Sequence, residues 1–107
     1  MIEENVKKFN QIIDDLLERS KNTYVYDPDI YKDIRNAQIF LVKFAQSDIN
    51  PECIDILHKA FQTLSDAYYV VRWYVKQDKR HVVRVLKEKF NTAKDLVSGI
   101  NSEICGE

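Results

Sequence analysis

Residues 68–86 read YYVVRWYVKQDKRHVVRVL, and this stretch decides how the chain folds. Crowded aromatic and valine side chains come first, a polar run follows at 76–81, and further valines close the stretch. The polar run holds no glycine or proline, but the apolar positions after it are about one residue out of phase with those before it. We therefore predict a turn near Asp78 between two antiparallel helices. One uninterrupted helix over 51–104, whose halves pack in a swapped dimer, is the alternative.

The rest of the chain repeats one pattern, with apolar residues three or four positions apart in four segments. Such stripes are typical of amphipathic helices that bury one face. The chain holds only two glycines and two prolines, which favours long helices over strands and turns. Asp27-Pro28 and Asn50-Pro51 each combine a capping residue with a proline at the first helical position. We predict an all-α, antiparallel four-helix bundle that forms a single domain over residues 1–107, with helices over about 2–20, 28–47, 51–77 and 79–104.

The third and fourth predicted helices are longer than the first two, so their joined end, residues 71–86, should project as a tip. Its apolar side chains cannot all be covered by two shorter helices. Tryptophan, tyrosine and arginine dominate the energetics of protein interfaces. We predict partner binding there, to a second copy or to another protein, through Tyr69, Arg72, Trp73, Tyr74 and Lys76. In the competing interpretation, Trp73 and Tyr74 close the end of the core under the link that joins the first two helices.

Charge is distributed unevenly along the sequence. Residues 72–94 contain eight Lys/Arg and two Asp/Glu, a net charge of +6, between acidic flanks of −4 and −3. Helical spacing places several of these cations on one stripe, which predicts an anion or nucleic-acid site at Lys79, Arg80, Arg84, Lys87 and Lys94. The whole chain carries a net charge of only −1, unlike a strongly basic nucleic-acid binder. The favoured interpretation is a solvated charged face, or one that pairs with acidic residues of the first helix.

The sequence contains no motif for catalysis or cofactor binding: no nucleophile elbow, no glycine-rich phosphate loop and no paired-cysteine zinc pattern. Asp55-His58 and Asp78-His81 have a spacing found at bundle metal sites, but they lie about 35 Å apart along a helix and could not share an ion. We therefore predict no enzyme activity, no cofactor, no metal site and no small-molecule substrate.

The two cysteines indicate the compartment. Two are too few for a disulfide scaffold, and the sequence shows no secretory signal and no membrane-spanning run. A reducing cytoplasm is therefore the expected location. Cys53 and Cys105 lie equally far from Lys79, so a hairpin would bring them into one layer. They could bridge in an exported protein, whereas in the cytoplasm we expect two packed or partly exposed thiols.

These observations favour a non-enzymatic protein–protein interaction module. A nucleic-acid-binding subunit or small regulator that uses the stripe over 72–94 is the alternative. An immunity or antitoxin-like binding protein is a further alternative, which rests on the analogy with other small helical bundles. No motif is specific enough to indicate a family.

Overall fold

The computed structural model describes residues 2–21, 30–73 and 78–106, without the side chains of Lys21 and Lys79. Within these ranges helices are the only regular secondary structure, which confirms the all-α class. The helices are α1 (Ile2–Lys21), α2 (Ile30–Ala45), α3 (Pro51–Arg72), α4 (Lys79–Ser98) and a short α5 (Ser102–Cys105). The predicted start of the second helix, at Asp27-Pro28, lies outside the described residues.

The four long helices form an antiparallel bundle in which each packs against the next and α4 returns to α1. Two side-chain contacts in each pair fix its direction, because the residue number rises along one helix while it falls along its neighbour. These contacts are Phe9–Phe40 with Arg19–Asp33, Tyr31–Tyr68 with Gln38–Ser65, Cys53–Cys105 with Asp66–Lys89, and Asn10–Ser98 with Asp14–Lys94.

One apolar core runs the length of the bundle and takes side chains from every helix. Burying each large side chain stabilises the fold by about 1.5–3 kcal/mol. The largest fully buried side chains are Phe9, Ile13, Leu16, Ile34, Leu41, Phe44, Leu57, Leu64, Val71, Phe90 and Val97. Val71 and Val82, which belong to the predicted tip, are also buried, so part of that tip is core.

The turn between α3 and α4 precedes Asp78, as the sequence predicts, but α3 ends at Arg72 rather than at 77. Trp73 is the C-cap of α3, and its N–H bonds to the carbonyl of Tyr69. Asp78 is the N-cap of α4 and accepts a hydrogen bond from the N–H of Arg80 at 2.9 Å. Residues 74–77, between them, lie outside the described part. The two helices pack side by side within one subunit, so the single-helix alternative over 51–104 is wrong.

The fourth helix ends earlier than predicted, at Ser98 rather than at 104. Asn101 then caps the separate helix α5 by accepting a hydrogen bond from the N–H of Ile104 at 3.1 Å. Because of this break α4 has 20 residues, the same as α1, and only α3, with 22, is longer. The expectation that both the third and fourth helices exceed the first two is therefore wrong for α4.

The break lets the C-terminal segment fold over the base of the bundle. Glu3 of α1 accepts hydrogen bonds from the Ser102 N–H, at 2.7 Å, and from the Ser102 hydroxyl. These bonds stabilise the carboxylate and lower the pKa of Glu3 below its ordinary value of 4.5. On the other side, Asn50 caps α3 by accepting from the N–H of Cys53, and its amide donates to the carbonyl of Ile104 at 2.6 Å.

A disulfide joins Cys53 at the start of α3 to Cys105 in α5, with the two Cα atoms 5.7 Å apart. Both cysteines are fully buried. The hairpin brings them into one layer, as the sequence indicates, but the expectation of two free thiols is wrong. Disulfides of this structural kind persist in oxidising compartments and are rare in the cytoplasm.

A bilayer-crossing helix needs both length and sustained apolar character, and no helix among the described residues has both.

The disulfide should contribute substantially to stability because it joins two cysteines that are 52 residues apart in the sequence. Replacing both cysteines (Cys53→Ala with Cys105→Ala) should lower the free energy of unfolding by about 4 kcal/mol. Urea unfolding followed by circular dichroism measures this loss.

Reductant supplies the control. It should destabilise the wild-type chain and leave the double alanine variant unchanged. Equal stability of the two proteins under oxidising conditions would contradict a stabilising cross-link.

Candidate interaction surface on α2 and α3

The exposed large apolar side chains of the described residues concentrate on one face of the bundle. Ile39 and Val42 of α2 are 53% and 46% exposed, and Tyr69 and Trp73 at the end of α3 are 57% and 66% exposed. Ile54, at the start of α3, is also exposed, and the one such side chain elsewhere is Ile104 in α5. Single exposed apolar residues are ordinary, but a group on adjacent helices marks a contact surface. We call this surface, formed by α2 and α3, the α2–α3 face.

One end of the α2–α3 face is an open cavity of about 500 Å³, which we call the arginine–aromatic pocket. Three aromatic rings and two guanidinium groups surround it. Its lining residues are Arg35, Tyr68, Tyr69, Arg72 and Trp73. Aromatic and arginine side chains around a cavity are the composition of interface hot spots.

Arg35 is held in a fixed position at this pocket. Its guanidinium lies 3.7 Å from the centre of the Tyr68 ring, and its Nη1 donates to Oε1 of Gln38 at 2.9 Å. Gln38 is itself buried, and its Nε2 donates to the carbonyl of Phe61 at 3.0 Å and to the hydroxyl of Ser65 at 2.7 Å. The buried amide therefore links α2 to α3 and orients the arginine, which lowers the entropy that Arg35 loses when it binds a ligand.

The pocket is cationic. No carboxylate of the described residues forms an ion pair with Arg35 or Arg72. Arg72 is exposed and makes no side-chain hydrogen bond within the described part of the chain. Both guanidinium groups thus retain N–H donors for a ligand that carries a carboxylate or another anion.

The other end of the α2–α3 face holds an apolar groove of about 230 Å³. Val42 and Ala45 of α2 face Ile54 and Phe61 of α3 across it, and the groove is lined in full by Leu41, Val42, Ala45, Gln46, Ile54, Leu57, His58 and Phe61. This volume suits one large apolar side chain. Aliphatic walls exposed to solvent are stabilised when another apolar group covers them.

Three of the predicted partner-binding residues, Tyr69, Arg72 and Trp73, lie together at the arginine–aromatic pocket. The other two, Tyr74 and Lys76, lie outside the described residues. Trp73 does not close the end of the core, because most of its surface is exposed.

The predicted basic stripe on α4 is only partly available to an anion. Arg80, Arg84 and Lys87 are exposed, and Arg84 bonds to Nδ1 of His81 at 3.2 Å. Lys94 instead pairs with Asp14 of α1 at 2.6 Å. That ion pair is the contact with the acidic first helix that the sequence favours. The side chain of Lys79 lies outside the described part of the structure.

The sequence gives a weaker signal for the α2 half of the face. Ile39 and Val42 fall outside the apolar stripe of their helix, which is Ile30, Ile34, Ala37, Leu41 and Phe44. Apolar residues on the polar side of an amphipathic helix are the signal that could have found them. Nothing in the sequence around Arg35 indicates that its guanidinium packs on Tyr68, some 33 residues later.

Metal ligands do not cluster in the described part of the chain, where no three His, Cys, Asp or Glu side chains come together. The pairs Asp55-His58 and Asp78-His81 therefore form no three-donor site there.

No family model matches the chain, and no solved structure matches it. The class that the fold defines is an all-α helical bundle, and arginine and aromatic side chains are exposed together at the end of its third helix.

The link through Gln38 gives a prediction for stability. Gln38→Leu removes three hydrogen bonds and leaves the Ser65 hydroxyl without its partner, so the free energy of unfolding should fall by about 1–3 kcal/mol. Gln11→Leu, at an exposed position of α1 away from the α2–α3 face, is the matched control and should change stability by less than about 0.5 kcal/mol. Chemical unfolding measures both, and equal effects would contradict a role for the buried amide.

Proposed function

We propose that the protein is a non-enzymatic protein–protein interaction module that binds its partner through the end of α3. The observation that carries this proposal is Trp73, a tryptophan 66% exposed beside two arginines that no carboxylate of the described residues neutralises. Exposing an indole to water costs free energy that burial against a partner would recover. Selection of such a side chain at a surface is typical of a hot spot.

The shape of the α2–α3 face supports a macromolecular partner over a small molecule. Small-molecule sites enclose most of their ligand, whereas the arginine–aromatic pocket is open and continues along α2 and α3 towards the apolar groove. A ligand that used both ends would span Ile54 to Trp73, about 28 Å along α3. A length of that order fits a protein surface or a helical segment.

The partner is a second copy of the chain or another protein. An immunity or antitoxin-like binding protein remains an alternative within this class, and the cationic pocket would then face an acidic surface of its target. Neither alternative requires a catalytic group, a cofactor or a metal ion in this chain.

The cytoplasmic location stays a prediction from the cysteine count, and the Cys53–Cys105 disulfide weighs against it. A buried disulfide that joins two distant parts of the chain fits an oxidising compartment better. The partner would then be sought in the same compartment.

Affinity purification from the native source tests the proposal. Wild-type protein, Trp73→Ala and the matched control Ile104→Ala would be recovered under identical conditions and their bound proteins quantified by mass spectrometry. Ile104 is also largely exposed but lies on α5, away from the pocket. We expect a specific partner, or the untagged chain itself, to be at least 10-fold depleted with Trp73→Ala and unchanged with Ile104→Ala.

The same partner should bind the purified chain directly. If Trp73→Ala changes the recovered amount of none of the bound proteins, the end of α3 is not the binding surface and the proposal fails.

A second candidate function rests on the cations at the start of α4. Arg80, Arg84 and Lys87 are exposed and form no ion pair within the described part of the chain. Asp14 pairs with Lys94, so Lys21 at the end of α1 lies about level with Lys87, and Arg80 and Arg84 extend beyond α1. A phosphate backbone could approach these side chains, and Trp73 could stack on a base. The neutralisation of Lys94 and the net charge of −1 make this the weaker proposal.

Nucleic-acid binding should be strongest at about 50 mM salt and fall steeply as salt rises, because phosphate contacts release counterions. Arg80→Glu with Arg84→Glu should abolish it, whereas Lys7→Glu with Lys8→Glu, a charge reversal of equal size on the exposed surface of α1, should weaken it only slightly. Fluorescence anisotropy with labelled single-stranded RNA and DNA measures the affinity. No binding to either at that salt would exclude this second candidate.

A further inference from the structure

We propose that the partner at the α2–α3 face is a second copy of this chain, bound so that Trp73 of each copy enters the apolar groove of the other. This inference rests on the proposed interaction function and specifies its partner. The two-fold axis lies in the interface, at right angles to the helices, and α3 of one copy runs antiparallel over α3 of the other. An isologous interface of this kind requires one face to be complementary to itself after reversal.

The apolar features of the α2–α3 face meet that requirement. The groove, with Ile54 in its wall, lies at one end, and Trp73 lies at the other. The two are separated by about 28 Å along α3. Reversing a second copy therefore brings each Trp73 over the opposite groove, which has a volume of about 230 Å³. An exposed aromatic side chain and an exposed apolar cavity are both covered, and this happens twice per dimer.

The centre of the α2–α3 face is also complementary to itself when a second copy is reversed. Gln38 bonds to Ser65 and to the carbonyl of Phe61, which places it level with residues 61–65, midway between Ile54 and Trp73. The next residue, Ile39, is 53% exposed. Because it lies near the two-fold axis, Ile39 of one copy packs against Ile39 of the other.

The charged side chains at the two ends of α3 are also complementary under the two-fold rotation. Arg72 borders the arginine–aromatic pocket, and Asp55 is exposed at the opposite end of α3, where it follows Ile54 of the groove wall in the sequence. Reversal places the Asp55 carboxylate of each copy near the Arg72 guanidinium of the other. Neither residue has an ion-pair partner among the described residues of its own chain. Partial burial at the interface would strengthen that attraction relative to open water.

The available area indicates how stable such a dimer would be. The bundle is 19 Å wide. A contact about 28 Å long across that width covers roughly 500 Å² per subunit, or about 1,000 Å² in total, which is the lower limit for a specific interface. We therefore expect a dimer that dissociates in the micromolar range.

Sedimentation equilibrium of the purified, oxidised protein between about 1 and 100 µM tests this inference. The chain contains a single tryptophan, so its fluorescence reports on Trp73 alone. We expect a monomer–dimer equilibrium, and quenching of the tryptophan by iodide should fall at least 3-fold as the dimer forms. A monomer throughout this range, with unchanged quenching, overturns the inference.

Variants locate the interface. Val42→Arg on the exposed groove wall and Trp73→Ala at the opposite end should each weaken the dimer about 30-fold or more, as expected of hot spots. Ile104→Arg, an equivalent change on α5, is the control and should leave association unaltered. Asp55→Arg and Arg72→Asp should each weaken association, and the double variant should restore it. A dimer that tolerates Val42→Arg and Trp73→Ala uses another surface, which also overturns the inference.

The failure of this inference is distinguishable from failure of the proposed function. If the chain is monomeric but Trp73→Ala abolishes binding of a different protein, the interaction function stands with that other partner. If neither a dimer nor a Trp73-dependent partner is found, the proposed function itself fails.

Discussion

The antiparallel packing of α3 on α4 is the contact on which the remaining architecture depends. It places the start of α3 beside the end of α4, and that proximity brings Cys53 within bonding distance of Cys105. The same contact brings Trp73 and Asp78, the two ends of the α3–α4 connection, to one end of the bundle. The base is therefore covalently closed and capped by α5, while the opposite end carries the exposed tryptophan. The disulfide and the arginine–aromatic pocket are thus located at opposite ends of one helical pair.

The base and the middle of the bundle rely on polar side chains that serve two contacts at once. Asn50 caps α3 and also donates to α5, while Glu3 of α1 accepts from the first residue of α5. On the α2–α3 face, Gln38 links two helices and orients Arg35. Buried polar groups that are fully hydrogen-bonded specify one arrangement of the neighbouring helices. The bundle therefore has a defined register between α2 and α3 that apolar packing alone would leave less strictly set.

Much of the fold was predictable from the sequence because the signals are local. The apolar stripe of each helix, the Asn50-Pro51 start and the phase shift near Asp78 each involve residues close together in the chain. The end of α4 was not predictable in the same way. Ile100 and Ile104 continue its apolar spacing, but contacts from Glu3 and Asn50, about 100 and 50 residues away, favour a separate α5. Those tertiary contacts act together with two local signals, Gly99 at the C-cap of α4 and Asn101 at the N-cap of α5, and the apolar spacing of Ile100 and Ile104 obscured both.

The candidate site was predictable only in its α3 half for a related reason. Composition alone points to Tyr69, Arg72 and Trp73, whereas the contribution of Arg35 depends on which helix lies beside α3. The charges of α4 illustrate the converse, because Lys94 belongs to the stripe by spacing but is neutralised by a neighbour in space. Spacing along a helix defines which residues share a face, and packing decides what that face meets.

The disulfide divides the molecule into two parts of unequal resistance to opening. Residues 53–105 form a covalently closed ring, whereas α1 and α2 pack against it without a cross-link, through apolar contacts, hydrogen bonds and the Asp14–Lys94 ion pair. The α2–α3 face straddles that division, with Tyr69 and Trp73 inside the ring and Arg35, Ile39 and Val42 outside it. A ligand that contacts both α2 and α3 would therefore stabilise their packing, because its binding free energy adds to the free energy that holds α2 against α3. The α2 half of the face, which lies outside the ring, is therefore the half whose local unfolding binding would reduce most.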